Sequence, residues 1–370
     1  MSELSLFDFL PDDEAARFKP IKSDDWKWSF ADYPKEKNGL KVFSCFACGG
    51  GSTMGYKLAG CDVIGCCEID PRMNEVYVKN HNPKYNFLMD IRDFNKIPDK
   101  DLPEELFNLD VLDGSPPCTT FSMAGQREDS WGKKKKFREG QTEQTLDDLS
   151  FVFIETVKKL MPKVVVMENV EGLILGEAFK YVRQIYSDFN DAGYLVNHWL
   201  VKGEKMGVPQ KRHRVIFVAC RKDTGIDPSD LDMMFNYYPI LFKEIRSEKG
   251  TQPPKSKVYV SLLEHMLPTD KYMGYITLRV RGVKSGYNTA IVQDDDVCQT
   301  LIAGGGAFYR GCDKLHMTDW DTGRAATFPT DYDYCGQPAR YVCGMSVPPI
   351  MMKRVITRLI DEGVFRYKIK

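Results

Sequence analysis

With 370 residues, 43% hydrophobic and 28% charged, the chain has the make-up of a folded protein with a substantial core, which excludes a disordered or fibrous polypeptide. No apolar run approaches the ~20 residues that span a bilayer, and the opening M-S-E-L-S-L-F-D-F-L carries acids where a secretion signal carries lysines. Eleven irregularly spaced cysteines read as reduced thiols in a cytoplasmic protein, and a net charge of -1 neither demands nor excludes a polyanionic partner.

Residues 1–38 form a polar lead-in with proline and tryptophan but no clear period. From there to residue 221 the pattern alternates as in an α/β doubly wound sheet. Strands are expected at Leu40–Phe46, Cys61–Cys67, Asn86–Met89 and Leu109–Leu112. Between them, helices are expected at Gly51–Ala59 and Arg72–Lys79. The spacing predicts a further helix over Leu149–Leu160, stopped by Pro162, before the V-V-V-M run of Lys163–Met167 that suits a central parallel strand. Helix Ala178–Phe189 and strands Tyr194–Val201 and Arg214–Ala219 complete this domain, 39–221. Residues 222–335 are richer in Pro, Gly, Tyr and Lys, with short alternating patches such as Tyr275–Val280, the texture of a second, smaller and irregular domain. Residues 336–370 return to helical spacing at Val347–Leu359 and are expected to rejoin the first domain.

The first strand runs into F-A-C-G-G-G-S-T-M-G, Phe46 to Gly55. Glycines there allow a tight turn and let a ligand approach the positive end of the following helix. Glu68 ends the second strand, where a carboxylate accepts hydrogen bonds from ribose hydroxyls, and Asp90 ends the third, within reach of an adenine amino group. Loop, Glu68 and Asp90 in that order point to a nucleoside-containing cofactor, and leave a dinucleotide and S-adenosylmethionine both open.

In Asp110–Ser122, D-V-L-D-G-S-P-P-C-T-T-F-S, the pair Pro116-Pro117 makes a stiff turn directly before Cys118. A thiol presented in this way is a candidate nucleophile. Each feature has a plainer reading when taken alone. A lone cysteine is a small buried hydrophobe, Glu168 a strand-end acid, Arg212 and Arg214 a surface basic pair, and Lys133–Lys136 a solvated face.

Together these motifs resemble the DNA (cytosine-5) methyltransferase family. Its F-x-G-x-G-G is Phe46–Gly51 here, with Cys48 for the first glycine. Its G-P-P-C is Ser115-Pro116-Pro117-Cys118, followed by Phe121-Ser122 and Gly125. Its E-N-V is Glu168-Asn169-Val170, and its Q-x-R-x-R is Gln210-Lys211-Arg212-His213-Arg214. Gln299-Thr300-Leu301 resembles the family's later threonine-leucine element. Thr318–Pro329 is a divergent form of a further block: Thr318, Arg324, Phe328 and Pro329 agree, while Trp320, Asp321 and Ala325-Ala326 depart. The closing G-N-A-V-P-P is Gly344–Pro349, with Met345 for the asparagine.

The resemblance implies an S-adenosylmethionine-dependent methyltransferase sheet with a smaller, irregular target-recognition domain. It implies S-adenosyl-L-methionine as cofactor, leaving as S-adenosyl-L-homocysteine. Phe46, Ala47, Gly49, Gly50 and Gly51 would hold it from the loop, Glu68, Ile69, Asp90 and Ile91 from the next strand ends, and Pro116 and Ser346 from the far side. It assigns Cys118 to attack on C6 of a flipped cytosine, which makes C5 an enamine-like carbon able to take the methyl group. Glu168 is assigned to N3, a task for a protonated carboxyl, and Arg214 to O2, with Arg212 supporting the site or a phosphate. No side chain suggests itself as the base that removes the C5 proton.

DNA binding falls to Ser122, Gly125, Arg127, Lys133, Lys134, Lys135, Lys136 and Arg138 in a loop that would close over the base. Gln210, Thr300, Arg279 and Arg281 are expected at the DNA from the recognition side, with Lys284 and Gln293 as further candidate readers. The implied partners are double-stranded DNA and a separately acting restriction endonuclease, with no membrane, for a monomer. Two rivals share the fold: transfer-RNA cytosine methylation, and a DNA-binding module with a decayed catalytic centre. Intact Cys118, Glu168 and Arg214 argue against the second. Finally, Glu3-Leu4-Ser5-Leu6-Phe7 resembles a motif that docks bacterial proteins on the replicative sliding clamp; the plainer reading is an amphipathic strap on its own domain.

Overall fold

The computed structural model describes residues 20–117, 148–283, 289–304 and 307–366. The Leu4–Phe7 motif lies outside them. A seven-stranded sheet is built from β1 (Lys41–Cys45), β2 (Asp62–Glu68), β3 (Tyr85–Leu88), β4 (Val111–Gly114), β5 (Val164–Val170), β6 (Tyr194–Lys202) and β8 (His213–Arg221), in the order β3-β2-β1-β4-β5-β8-β6. The first five strands in that order are mutually parallel. β8 runs antiparallel to both of its neighbours. The alternation legible in the sequence yields the strands and their order in the chain, but not this reversal.

Side chains on successive strand residues face opposite ways, so each strand feeds two cores. Val42, Val164, Val166, Ile216 and Val218 pack on one face with Met54 and Tyr56 of α1 (Gly51–Leu58) and Met73 and Val76 of α2 (Pro71–His81). Phe43, Val165, Met167, Val215 and Phe217 pack on the other. There they meet α3 (Ile91–Lys96), α4 (Leu149–Leu160) and α5 (Phe179–Asp191). Val164–Met167 are fully buried because helices cover both faces, which is why that run reads as continuous rather than alternating.

The two-residue strand β7 (Gln210–Lys211) leaves the sheet to pair with β10 (Cys298–Gln299). Past β8 come α6 (Phe242–Ile245), α7 (Lys257–Glu264), α8 (Met273–Arg281) and a parallel pair, β9 (Ala290–Val292) with β11 (Phe308–Arg310). Leu262, Leu263, Met273, Ile276, Ile291 and Tyr309 form a small core there. The patch Tyr275–Val280, which alternates in sequence, is helical: Met273, Ile276 and Thr277 are buried one turn apart, while Tyr275, Leu278 and Val280 are exposed.

The chain then returns to the large core through α9 (Asp319–Ala325), α10 (Ala339–Met345) and α11 (Pro349–Asp361), whose Ile350, Met352 and Ile356 share the core of α1. The lead-in joins it as well: Trp26 and Trp28 are buried, and Trp28 Nε1 donates to Thr327 O at 2.7 Å. Among the described residues, no helix is long and apolar enough to cross a membrane.

Asp321, a departure from the family block, has a structural task. It closes the N-terminal cap of α9 with Thr318 and accepts the Ser247 amide at 2.6 Å. It also faces the fully buried Arg310, whose Nη1 is 3.4 Å from Asp321 Oδ2 and whose Nη2 is 3.1 Å from Asp313. Removing one member of such a pair strands the other charge in the interior, so Arg310→Ala should cost ~3–5 kcal/mol in urea unfolding. The double replacement Arg310→Met/Asp321→Leu should be less damaging than Arg310→Ala alone.

Candidate active site

The turn from β1 into α1 is strained in a specific way. Phe46, Cys48 and Gly50 take left-handed φ values of 56°, 46° and 83°. A side chain at Gly50 would begin 2.0 Å from His81 Nε2, and one at Gly51 would begin 2.0 Å from Val347 O. One at Gly49 would begin 2.5 Å from Val342. These glycines therefore let α2 and the 342–347 segment close on the turn. Cys48 bears a conformation that costs a non-glycine residue about 1–2 kcal/mol, and its amide donates to Glu68 Oε2 at 2.7 Å.

Glu68 is buried at the end of β2, and its other oxygen accepts the Asp70 amide at 2.8 Å. Burial pushes its carboxyl up, opposed by these amide hydrogen bonds. His81 Nε2 lies 3.3 Å from Gly49 O, and Tyr332 donates its hydroxyl to the same carbonyl. Burial pushes His81 down to about 3, so the ring is neutral there.

Ser346 is buried beside the turn, with its Oγ unpartnered among the described residues. An orphaned hydroxyl, a buried carboxylate and the start of α1 thus surround one turn, a donor and acceptor set that suits a nucleoside with a charged amino-acid tail. Ala47 and Ile91 are buried near it, while Ile69 is half-buried. Asp90 caps α3, accepting the Arg92 amide at 2.8 Å, with Arg92 Nη1 3.5 Å from its second oxygen.

The second cluster lies at the carboxyl edge of the sheet. Because β8 runs backwards, its first residues stand beside the last of β5, with Arg214 opposite Val170. Arg214 Nε meets Glu168 Oε1 at 2.6 Å, both side chains nearly buried, and Arg214 Nη1 donates to His213 O at 2.7 Å. Asn169 reaches back to Pro116 O at 3.4 Å, which ties the buried Pro116 to the same edge. Cys118, Ser122, Gly125, Arg127, Lys133–Lys136 and Arg138, together with Lys284, lie outside the described residues.

Several expected contacts resolve differently. Arg212 is 3% exposed, and its guanidinium donates to Leu301 O and Gly344 O at 3.3 Å. Burial and the charge of Arg214 hold it below the usual arginine range. It braces the chain behind Arg214 and is not placed to hold a phosphate. Gln210 is fully buried and gives both ends of its amide to backbone, at Ala325 O and the Leu301 amide, so it does not face DNA. Thr300 donates its hydroxyl to Lys211 O. Arg279 is turned back onto Asp270, at 2.6 Å, and His265 O, and Gln293 donates to Leu267 O and Asp270 O. Arg281 is exposed at the end of α8.

One buried acid near the site escaped the sequence reading. Asp113 on β4 accepts from Ser44 Oγ at 2.7 Å and Tyr56 OH at 3.2 Å, with no ion-pair partner among the described residues, and burial pushes it up to about 7. Its only signal was a carboxylate inside the apolar run V-L-D-G.

The profile of the C-5 cytosine-specific DNA methylase family matches residues 40–281. The Type II methyltransferase M.FnuDI of Fusobacterium nucleatum is 32% identical over 205 residues, 55% of this chain and 52% of that one. The chain thus spans about half the length of that relative. M.NgoFVII of Neisseria gonorrhoeae, also a Type II methyltransferase, is 27% identical over 340 residues, 84% of each chain. Among solved structures, a putative DNA modification methyltransferase encoded within an E. coli prophage shares the fold with a TM-score of 0.62 at 18% identity, over 87% of this chain and 99% of that one. Spodoptera frugiperda DNMT2 shares it with a TM-score of 0.60 at 14% identity, over 87% and 100%.

Asp113 makes stability depend on pH. Its value rises on folding, so the stabilisation carried by its protonated form is present in acid and is lost as pH climbs from about 4 to about 7. Asp113→Asn, which cannot ionise, should gain on the wild type as pH rises. Calorimetry should show its Tm advantage larger at pH 8 than at pH 5; an equal difference at both counts against the assignment.

Proposed function

The chain belongs to the C-5 cytosine-specific DNA methylase family, and from that premise we propose that it methylates C5 of a cytosine flipped out of duplex DNA, within a specific sequence. The observation that carries the reading is the Arg214–Glu168 contact, 2.6 Å long, on the edge that Pro116 shares through Asn169. Cys118 follows Pro117 directly in the chain.

Cytosine C5 is too weak a nucleophile to take a methyl group unaided. The Cys118 thiolate forms a bond to C6 as the ring's C5–C6 electron pair moves toward C5. Negative charge then builds over N3 and O2. Glu168 faces N3 and delivers a proton there, and Arg214 turns its guanidinium toward O2. S-adenosyl-L-methionine, when bound, supplies the electrophilic methyl group. After transfer the C5 proton passes to water, the Cys118–C6 bond breaks with its electron pair leaving on the thiolate, N3 returns its proton to Glu168, and the ring regains its conjugation.

The turn Phe46–Gly51, the Glu68 carboxylate and the Ser346 hydroxyl are the groups that would hold the cofactor. For the target, Ser122–Gly140 would close over the extruded base, with Lys133–Lys136 and Arg138 on phosphates. Bacterial and phage relatives suit a cytoplasmic monomer, either paired with a restriction endonuclease or solitary.

Incubation with cofactor and genomic DNA, followed by bisulfite mapping, should reveal new 5-methylcytosine in one sequence context. Its absence from DNA, with label entering transfer RNA instead, would overturn the reading. Duplexes carrying 5-fluorocytosine should trap a covalent adduct that Cys118→Ala abolishes. Glu168→Gln should lower kcat by ~10²–10⁴-fold, the range for loss of a general acid.

Replacing Lys133, Lys134, Lys135 and Lys136 by glutamine should weaken duplex binding and reduce the slope of log K against log salt by ~0.9 for each phosphate no longer neutralised. Cofactor affinity, measured by calorimetry, should not change.

A further inference from the structure

His213 lies between the two arginines of the Q-x-R-x-R motif but on the other face of the sheet. Arg214 and Ile216 point toward the α1 side, while His213 shares the face of Val215 and Phe217. It therefore cannot meet the base. Its ring instead spans two carboxylates. Nε2 is 2.9 Å from Glu204 Oε1, and Nδ1 is 3.3 Å from Glu171 Oε2. Glu171 opens the short helical turn Glu171–Ile174 directly after β5, and Glu204 sits in the turn Gly203–Lys205 directly after β6. The Glu204 side chain is mostly buried, and its Oε2 has no hydrogen-bond partner among the described residues.

A neutral imidazole has one N–H and can donate to only one of these acids, whereas the imidazolium donates to both. The backbone of the same residue also orients the catalytic pair, because His213 O accepts from Arg214 Nη1 at 2.7 Å.

We propose that His213 is a positioning residue. Bridging Glu171 and Glu204, it pins the start of β8 to the turns after β5 and β6, and so holds Arg214 against Glu168. This rests on the function proposed above. Loss of the bridge loosens the strand start, so turnover falls while DNA binding is spared.

The test compares wild type, His213→Gln, His213→Arg and Glu204→Gln in steady-state methylation at one pH. His213→Gln breaks the two-sided bridge and should lose about tenfold in kcat, an effect of misplacing a catalytic group, with KM for DNA within about twofold of wild type. His213→Arg keeps donors for both acids and should retain kcat within about threefold of wild type. Glu204→Gln should lower kcat in the same direction as His213→Gln, again with KM for DNA unchanged.

If His213→Gln does not fold, Glu204→Gln decides alone. A fall in kcat with KM for DNA unchanged upholds the proposal, and an unaltered kcat overturns it. Active wild type with unaltered kcat in His213→Gln defeats this proposal only, whereas wild type inactive on every DNA defeats the underlying function as well.

Discussion

Arg214 reaches Glu168 because one strand of the sheet runs against the rest. In a parallel sheet every strand delivers its last residues to the carboxyl edge, and a residue that opens a strand lies at the far end. β8 reverses this, so the residue that begins it stands across from the residue that ends β5. An acid late in one strand and a base early in another thus meet at 2.6 Å in a nearly dry setting, without help from a flexible loop. Both are carried by strands locked into the sheet core, so the pair is held in place by the fold itself.

The same logic governs the turn after β1. Its glycines make room for His81, Val342 and Val347, so the turn takes its shape from residues nearly three hundred positions downstream as well as from α2. Arg212 contributes from the opposite direction, donating to both Leu301 O and Gly344 O. The turn after β1, the Glu168–Arg214 edge and the C-terminal segment are therefore one mechanical unit, and the buried Ser346 hydroxyl sits beside the turn.

Much of this was legible in the chain. The strand and helix windows of residues 40–221 are plain because apolar runs buried on both faces need no partner to be recognised. Glu168 and Arg214 were found by motif. What escaped has a common cause. The direction of β8 is set by its neighbours, since R-V-I-F-V-A reads the same in either orientation. Gln210, Arg212 and Arg279 carry side chains that suit DNA and backbone carbonyls equally, and only packing decides between them. Tyr275–Val280 alternates in sequence yet folds as a helix, because a short run fits both periods. Asp113 lies one residue past the strand expected at Leu109–Leu112, and its hydroxyl partners Ser44 and Tyr56 come from separate elements.

The short ladder between β7 and β10 ties the start of β8 to a segment about ninety residues further along the chain. Gln210-Lys211 is paired with Cys298-Gln299, and the Gln210 amide and the Arg212 guanidinium are both engaged at Leu301. Cys298–Leu301 thus acts as a seam between a replaceable insert and a fixed frame. A chimaera that exchanges residues between Ile245 and Val297 keeps the ladder and both contacts at Leu301 but loses Asp296, the ion partner of Lys211. One whose junction falls beyond Leu301 replaces the contacts directly behind Arg214 as well.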